Sequence, residues 1–86
     1  MSQNKEDLKN KIIYRATYRG TKEMDILMTA FVNSLINELD ENYLKVLDLF
    51  VNLDDETLIS LKKKESPTNY KDVKMLHIIQ KFQDFS

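Results

Sequence analysis

Met24-Asp25-Ile26-Leu27-Met28-Thr29-Ala30-Phe31-Val32-Asn33-Ser34-Leu35 sets Met24, Leu27, Met28, Phe31, Val32 and Leu35 at three- and four-residue steps. That repeat lines one face of a helix with apolar side chains, and Ile36 and Leu39 extend the face toward Asp40. A stripe this continuous has to be covered by other elements, so this is the core helix. Just upstream, Thr21 is a candidate N-cap, with Glu23 and Asp25 in the first turn where the helix dipole favours acids. Before that comes Arg19-Gly20, the chain's only glycine. Read as a mid-helix pair, Arg19 and Glu23 stand at i and i+4 in the less favourable order and contribute about 0.2–0.5 kcal/mol. A glycine in a helix interior costs roughly 1 kcal/mol relative to alanine. The pair cannot offset the glycine, so Gly20 marks a break between two helices. The break is expected to present Arg19 and Glu23 together on an exposed corner.

Working outward, a first helix is expected from about Glu6 to Tyr18, with the thin apolar content of Leu8, Ile12, Ile13 and Tyr14. Such a helix depends on packing rather than on its own propensity. Asp40 is a good N-cap for a third helix carrying Tyr43, Leu44, Val46, Leu47, Phe50 and Val51. Asp54 or Asp55 can cap a short fourth helix containing Leu58, Ile59 and Leu61, whose Lys62-Lys63-Lys64-Glu65 tail suits a C-terminal dipole end. Ser66-Pro67-Thr68-Asn69 breaks the chain, and a fifth helix from about Tyr70 to Phe82 carries Val73, Met75, Leu76, Ile78, Ile79 and Phe82. The expected architecture is all-α: one domain over residues 1–86, a small five-helix bundle with short connections.

Composition narrows the chemistry. The absence of cysteine excludes disulfides, thiolate zinc sites and a cysteine nucleophile. A formal net charge of −1 argues against a protein built mainly to hold nucleic acid. Charge is unevenly spread: Lys5, Lys9, Lys11, Arg15, Arg19 and Lys22 lie early in the chain, and Glu38, Asp40, Glu41, Asp48, Asp54, Asp55 and Glu56 lie in the middle. Solvated helix faces account for this simply; the sharper reading is a basic end and an acidic end that orient a protein partner. No apolar run approaches the roughly 20 residues of a membrane span, so no membrane insertion is expected. Met1 to Asn10 has neither the apolar stretch of a secretory signal nor the composition of a transit peptide. The expected location is therefore cytoplasmic, in a bacterium, rather than the mitochondrial matrix.

No complete active site is legible. His77, the lone histidine, lies in an apolar helical stretch and reads as a partly packed side chain. Asp54-Asp55-Glu56 lacks the glycine turn and ligand spacing of a calcium loop and reads as capping. Phosphate-loop, dinucleotide and nucleophile-elbow patterns are missing from the sequence. The methionines read as core filler. An enzyme is not expected, and neither a catalytic residue, a metal site nor a cofactor site of the chain's own is assigned.

Lys11-Ile12-Ile13-Tyr14-Arg15-Ala16-Thr17-Tyr18-Arg19-Gly20-Thr21-Lys22-Glu23-Met24-Asp25 resembles the signature of the succinate dehydrogenase assembly factor 2 family, the small flavinylation factors of bacteria and mitochondria. That family carries an Arg-Gly-x-x-Glu motif, often with an aspartate two residues on, which Asp25 fits. Leu53-Asp54-Asp55-Glu56-Thr57-Leu58 is similar to the family's acidic start of its fourth helix, and Ser66-Pro67 falls where members commonly have a proline-containing break. The resemblance covers most of the chain in order and spacing. Two departures stand out: Thr17 and Tyr18 precede the motif arginine where members often have a second basic residue, and Leu61 takes the place of a tryptophan.

The resemblance implies the family's small antiparallel five-helix bundle and a chaperone's function. Such a factor promotes covalent FAD attachment to the flavoprotein subunit of succinate dehydrogenase, and in bacteria often to that of fumarate reductase. The bond forms within the client, so FAD is the client's cofactor and none is expected on this chain, which is expected to be monomeric when free. The implied partner-binding residues are Tyr14, Tyr18, Arg19, Gly20, Glu23 and Asp25. On this reading Arg19 offers planar donors to client carboxylates or carbonyls, and Glu23 offers acceptors. Gly20 admits a close backbone approach, and the tyrosines pack at the interface. A generic helical adaptor is the alternative and predicts affinity spread over an apolar patch. A helix-turn-helix reading sets acids beside phosphates, and a flavin transferase lacks a nucleotide loop.

Overall fold

Among the described residues, four of the five helices begin on a side chain that accepts a backbone N–H, which is why they start where they do. Asn4 Oδ1 takes the Asp7 N–H at 2.7 Å, and Asp40 Oδ1 takes that of Tyr43 at 2.9 Å. Asp54 Oδ1 takes that of Thr57 at 3.2 Å, and Asp72 Oδ1 that of Lys74 at 2.9 Å. Each satisfies a donor that the first helical turn leaves without an intrahelical partner. In this computed structural model, which describes residues 4–63 and 71–85, the helices are α1 (Lys5–Thr17), α2 (Lys22–Leu35), α3 (Glu41–Val51), α4 (Asp55–Lys62) and α5 (Val73–Asp84). The all-α, five-helix expectation is met.

Thr21 stands at the N-cap of α2 with extended backbone, but its hydroxyl makes no capping bond; only its carbonyl enters the helix, accepting from Asp25 N–H at 2.9 Å. The core helix is shorter than its apolar stripe. After Leu35 the chain tightens into a 3₁₀ turn, Ile36–Glu38, that still buries Ile36 and leads to a buried Leu39. The fifth helix starts at Val73 rather than at Tyr70, because Lys71 and Asp72 are non-helical and Asp72 serves as the cap. The expected break at Ser66–Asn69 lies outside the described residues, as do Lys64, Glu65 and Tyr70.

α1 packs on α2 and α3, and α5 packs on α3 and α4. Phe31, Phe50 and Phe82, all fully buried, meet at the centre with ring centroids 5.2–5.8 Å apart. Phe85 closes one end against Phe31 at 5.5 Å. These tilted and edge-on contacts suit the ring quadrupoles. Met24, Met28, Phe31, Val32 and Leu35 are buried as the periodicity requires, while Leu27 is half-buried at the margin. Ile59 and Val73, counted among the apolar residues of their helices, are exposed instead. Leu61 is a buried core residue.

Candidate functional site: the α1–α2 corner

The corner joining α1 to α2 is built around a backbone reversal. α1 ends at Thr17, the Tyr18 N–H closes on the Tyr14 carbonyl at 3.1 Å, and Gly20 follows with φ of 117°. That left-handed value is open to glycine and strained for other residues. The space around Gly20 is open: a Cβ there would meet nothing within 4 Å. The glycine therefore serves the turn, as its position between two helices implies, and leaves the surface outside it clear.

Beside the turn, Tyr14 and Tyr18 stand one helical turn apart and are 65% and 70% exposed. Their rings contact each other at 4.8 Å, which sets two aromatic faces on the surface. A shallow hollow adjoins them, lined by Tyr14, Arg15, Tyr18, Arg19, Val51 and Asn52. Two of its lining residues are tied across helices at the surface, Arg15 Nη1 donating to Asn52 Oδ1 at 2.9 Å. Thr17 turns its hydroxyl back to the Ile13 carbonyl at 2.8 Å and meets the Thr29 hydroxyl at 3.3 Å.

Arg19 and Glu23 are not displayed together. Glu23 is exposed on the first turn of α2, with no hydrogen bond or ion pair among the described residues. Arg19 turns inward, its side chain only 10% exposed. Its Nη1 and Nη2 donate to the carbonyls of Val51 and Leu53, and Nε donates to Asp55 Oδ1 at 3.1 Å. Nη2 also lies 3.0 Å from that same oxygen. The physical reason is local. The end of α3 exposes carbonyls at its negative pole, the start of α4 adds a carboxylate, and a planar guanidinium satisfies both. Asp25, half-buried, accepts the Arg19 backbone N–H at 2.7 Å and so braces the turn from α2.

Asp55 is the residue that sequence reading misses at this site: as part of Asp54-Asp55-Glu56 it reads as capping, but Asp54 makes the cap and Asp55 binds Arg19. Hydrogen bonds from the Thr57 side chain and backbone N–H hold the Asp54 carboxyl below its ordinary value. The charge asymmetry along the sequence is likewise partly consumed inside the fold. Lys11 lies 3.4 Å from Asp48, and Arg19 pairs with Asp55, so the basic first helix faces the acidic middle segment. His77 is on the outer face of α5, where Nδ1 shares a 2.8 Å hydrogen bond with the Tyr43 hydroxyl and the two rings stack. Among the described residues, no group of three or more His, Cys, Asp or Glu side chains converges as a metal site would require.

The family described as the flavinator of succinate dehydrogenase matches residues 10–83, which include the whole corner and its braces. The chain belongs to this family. Among curated relatives, succinate dehydrogenase assembly factor 2, mitochondrial, of Cryptococcus neoformans is 26% identical over 81 residues, covering 92% of this chain and 46% of the relative. The protein of the same name from Arabidopsis thaliana is 33% identical over 66 residues, covering 76% of this chain and 35% of the relative. The chain thus spans less than half the length of these two relatives. No solved structure matches it. Both relatives are designated mitochondrial, which overturns the cytoplasmic, bacterial location expected from the N-terminal composition. No helix among the described residues is long and apolar enough to cross a membrane.

Proposed function

We propose that this flavinator-family chain promotes covalent attachment of FAD to the flavoprotein subunit of succinate dehydrogenase. It does so as a chaperone that binds that subunit through the α1–α2 corner. The observation that carries this reading is the family match over residues 10–83, which takes in the Gly20 turn and everything that braces it. The exposed tyrosine pair, the open surface at Gly20 and the unengaged Glu23 supply what a protein interface uses: aromatic contact area, close backbone approach and a charged acceptor. Asp25 and Arg19 contribute from behind that face.

The chain performs no chemistry of its own in this account; the bond between flavin and protein forms within the client. FAD stays with the client throughout. The interior of the bundle is filled by Phe31, Phe50 and Phe82, which supports that assignment. A glycine-rich phosphate turn cannot be built from a single glycine.

The test mixes the chain with the apo flavoprotein subunit and FAD, then reads in-gel flavin fluorescence after denaturation. Wild type should give faster and fuller labelling. Gly20→Arg adds strain of about 1–2 kcal/mol at a left-handed position and places a long cation on the docking face. It should keep its helical circular dichroism and lose the stimulation. Equal labelling with and without the chain, and no complex on gel filtration, would reduce it to a helical adaptor for some other protein.

A further inference from the structure

Arg19 and Glu23 belong to one five-residue motif, yet the Arg19 side chain is mostly buried and Glu23 is exposed. The guanidinium uses Nε, Nη1 and Nη2 on Val51, Leu53 and Asp55, and little of it is left in solvent. A planar fork with its edges engaged has few donors free for a second protein. We propose that Arg19 is a positioning residue whose target is the chain itself. Asp55, 36 residues further on, then belongs to the same functional unit. This rests on the docking role of the corner proposed above.

The corner is fixed from two sides. Through its side chain, Arg19 holds the exit of α1 against the α3–α4 turn; through its backbone N–H it is held by Asp25 of α2. Gly20, with its left-handed backbone, lies between those anchors and Glu23. Both anchors constrain the turn from which exposed Glu23 follows, beside the exposed tyrosines at the end of α1. Pre-organisation of this kind raises affinity by removing the ordering cost from the binding step. Lysine cannot substitute, because a point ammonium does not reach two carbonyls and a carboxylate in one plane.

The proposal predicts a pattern of coupling that direct contact would not produce. Affinity for the apo flavoprotein subunit is measured by calorimetry for the full chain and its variants, with circular dichroism confirming that each is folded. Asp55→Asn and Arg19→Lys should each weaken binding roughly tenfold. Glu23→Ala should cost about tenfold in wild type and less than about twofold in an Arg19→Ala background, since non-additivity marks residues that act as one unit. Independent losses from Arg19 and Glu23, with Asp55→Asn binding as wild type does, would overturn the proposal and make Arg19 a direct contact. Should Glu23→Ala and Gly20→Arg both leave binding unchanged, the docking reading itself fails. The clamp is then decided by the backbone amide resonances of Gly20 and Thr21, which shift in Asp55→Asn if Asp55 holds the corner and stay in place if it does not.

Discussion

Among the described residues, two cations reach across to the end of a helix and take its carbonyls, and they do so in different ways. Arg19 closes the end of α3, donating to Val51 and Leu53 and pairing with Asp55. Lys62 closes the end of α5, donating to the carbonyl of Phe82 at 2.8 Å and to that of Phe85. Both place positive charge where the helix dipole is negative. Arg19 has a carboxylate partner and a fork whose geometry fixes the neighbouring backbone. The Lys62 ammonium has aromatic rings around it, 5.1 Å from the Phe82 centroid and 5.8 Å from that of Phe85. One clamp sits under an exposed, left-handed turn flanked by tyrosines; the other seals the aromatic end of the core. The contrast separates a clamp that shapes a surface from a clamp that holds the fold together.

The comparison can be broken by deleting each cation. Arg19→Ala leaves two carbonyls and a carboxylate without their donor in a mostly buried setting, which should cost about 2–4 kcal/mol. Lys62→Met keeps the stem and loses the charge, which should cost about 1–2 kcal/mol. Urea unfolding checks both. Only the first should reduce flavin labelling of the client; loss of labelling in Lys62→Met at retained helicity would erase the distinction.

A smaller effect sharpens the Arg19 side by separating Asp54 from Asp55. The Asp54 carboxyl titrates below its ordinary value when folded. Its ionised form therefore adds stability above about pH 4, and that contribution is lost as the pH falls through the lowered folded value. Asn caps a helix well but does not ionise. Asp54→Asn should thus lose less stability than wild type on acidification, with client binding at neutral pH unchanged. Thermal unfolding from about pH 6 to about pH 2 reads the difference, and an identical acid limb in both proteins would assign the effect elsewhere.

Much of the fold is legible from local sequence because its determinants are local. The three- and four-residue steps from Met24 to Leu35 set the core helix, Asp40 and the Asp54-Asp55 pair announce their helices, and Gly20 marks the break. The misreadings come where two structures share one pattern. A 3₁₀ turn at Ile36–Glu38 keeps an apolar face that looks like more α-helix, and Pro67 drew the start of α5 toward Tyr70 when the cap is Asp72. At the site, Gly20 is legible because backbone freedom follows from residue type, whereas the exposure of Tyr14, counted with the apolar residues of its helix, is not. Nor is the inward turn of Arg19. Its partner Asp55 is distant in sequence, and motif spacing carries no trace of a contact made only after α3 and α4 are packed.

The most direct test of the corner as the docking face is a titration of ¹⁵N-labelled chain with the unlabelled apo flavoprotein subunit, followed by amide resonances. The account predicts that signals from Tyr14, Tyr18 and Gly20 to Glu23 broaden or shift first, while those of Lys62, Phe82 and Phe85 keep their positions until the complex is saturated. Changes centred on the Lys62 end of the bundle, with the Gly20 corner unmoved, would contradict it.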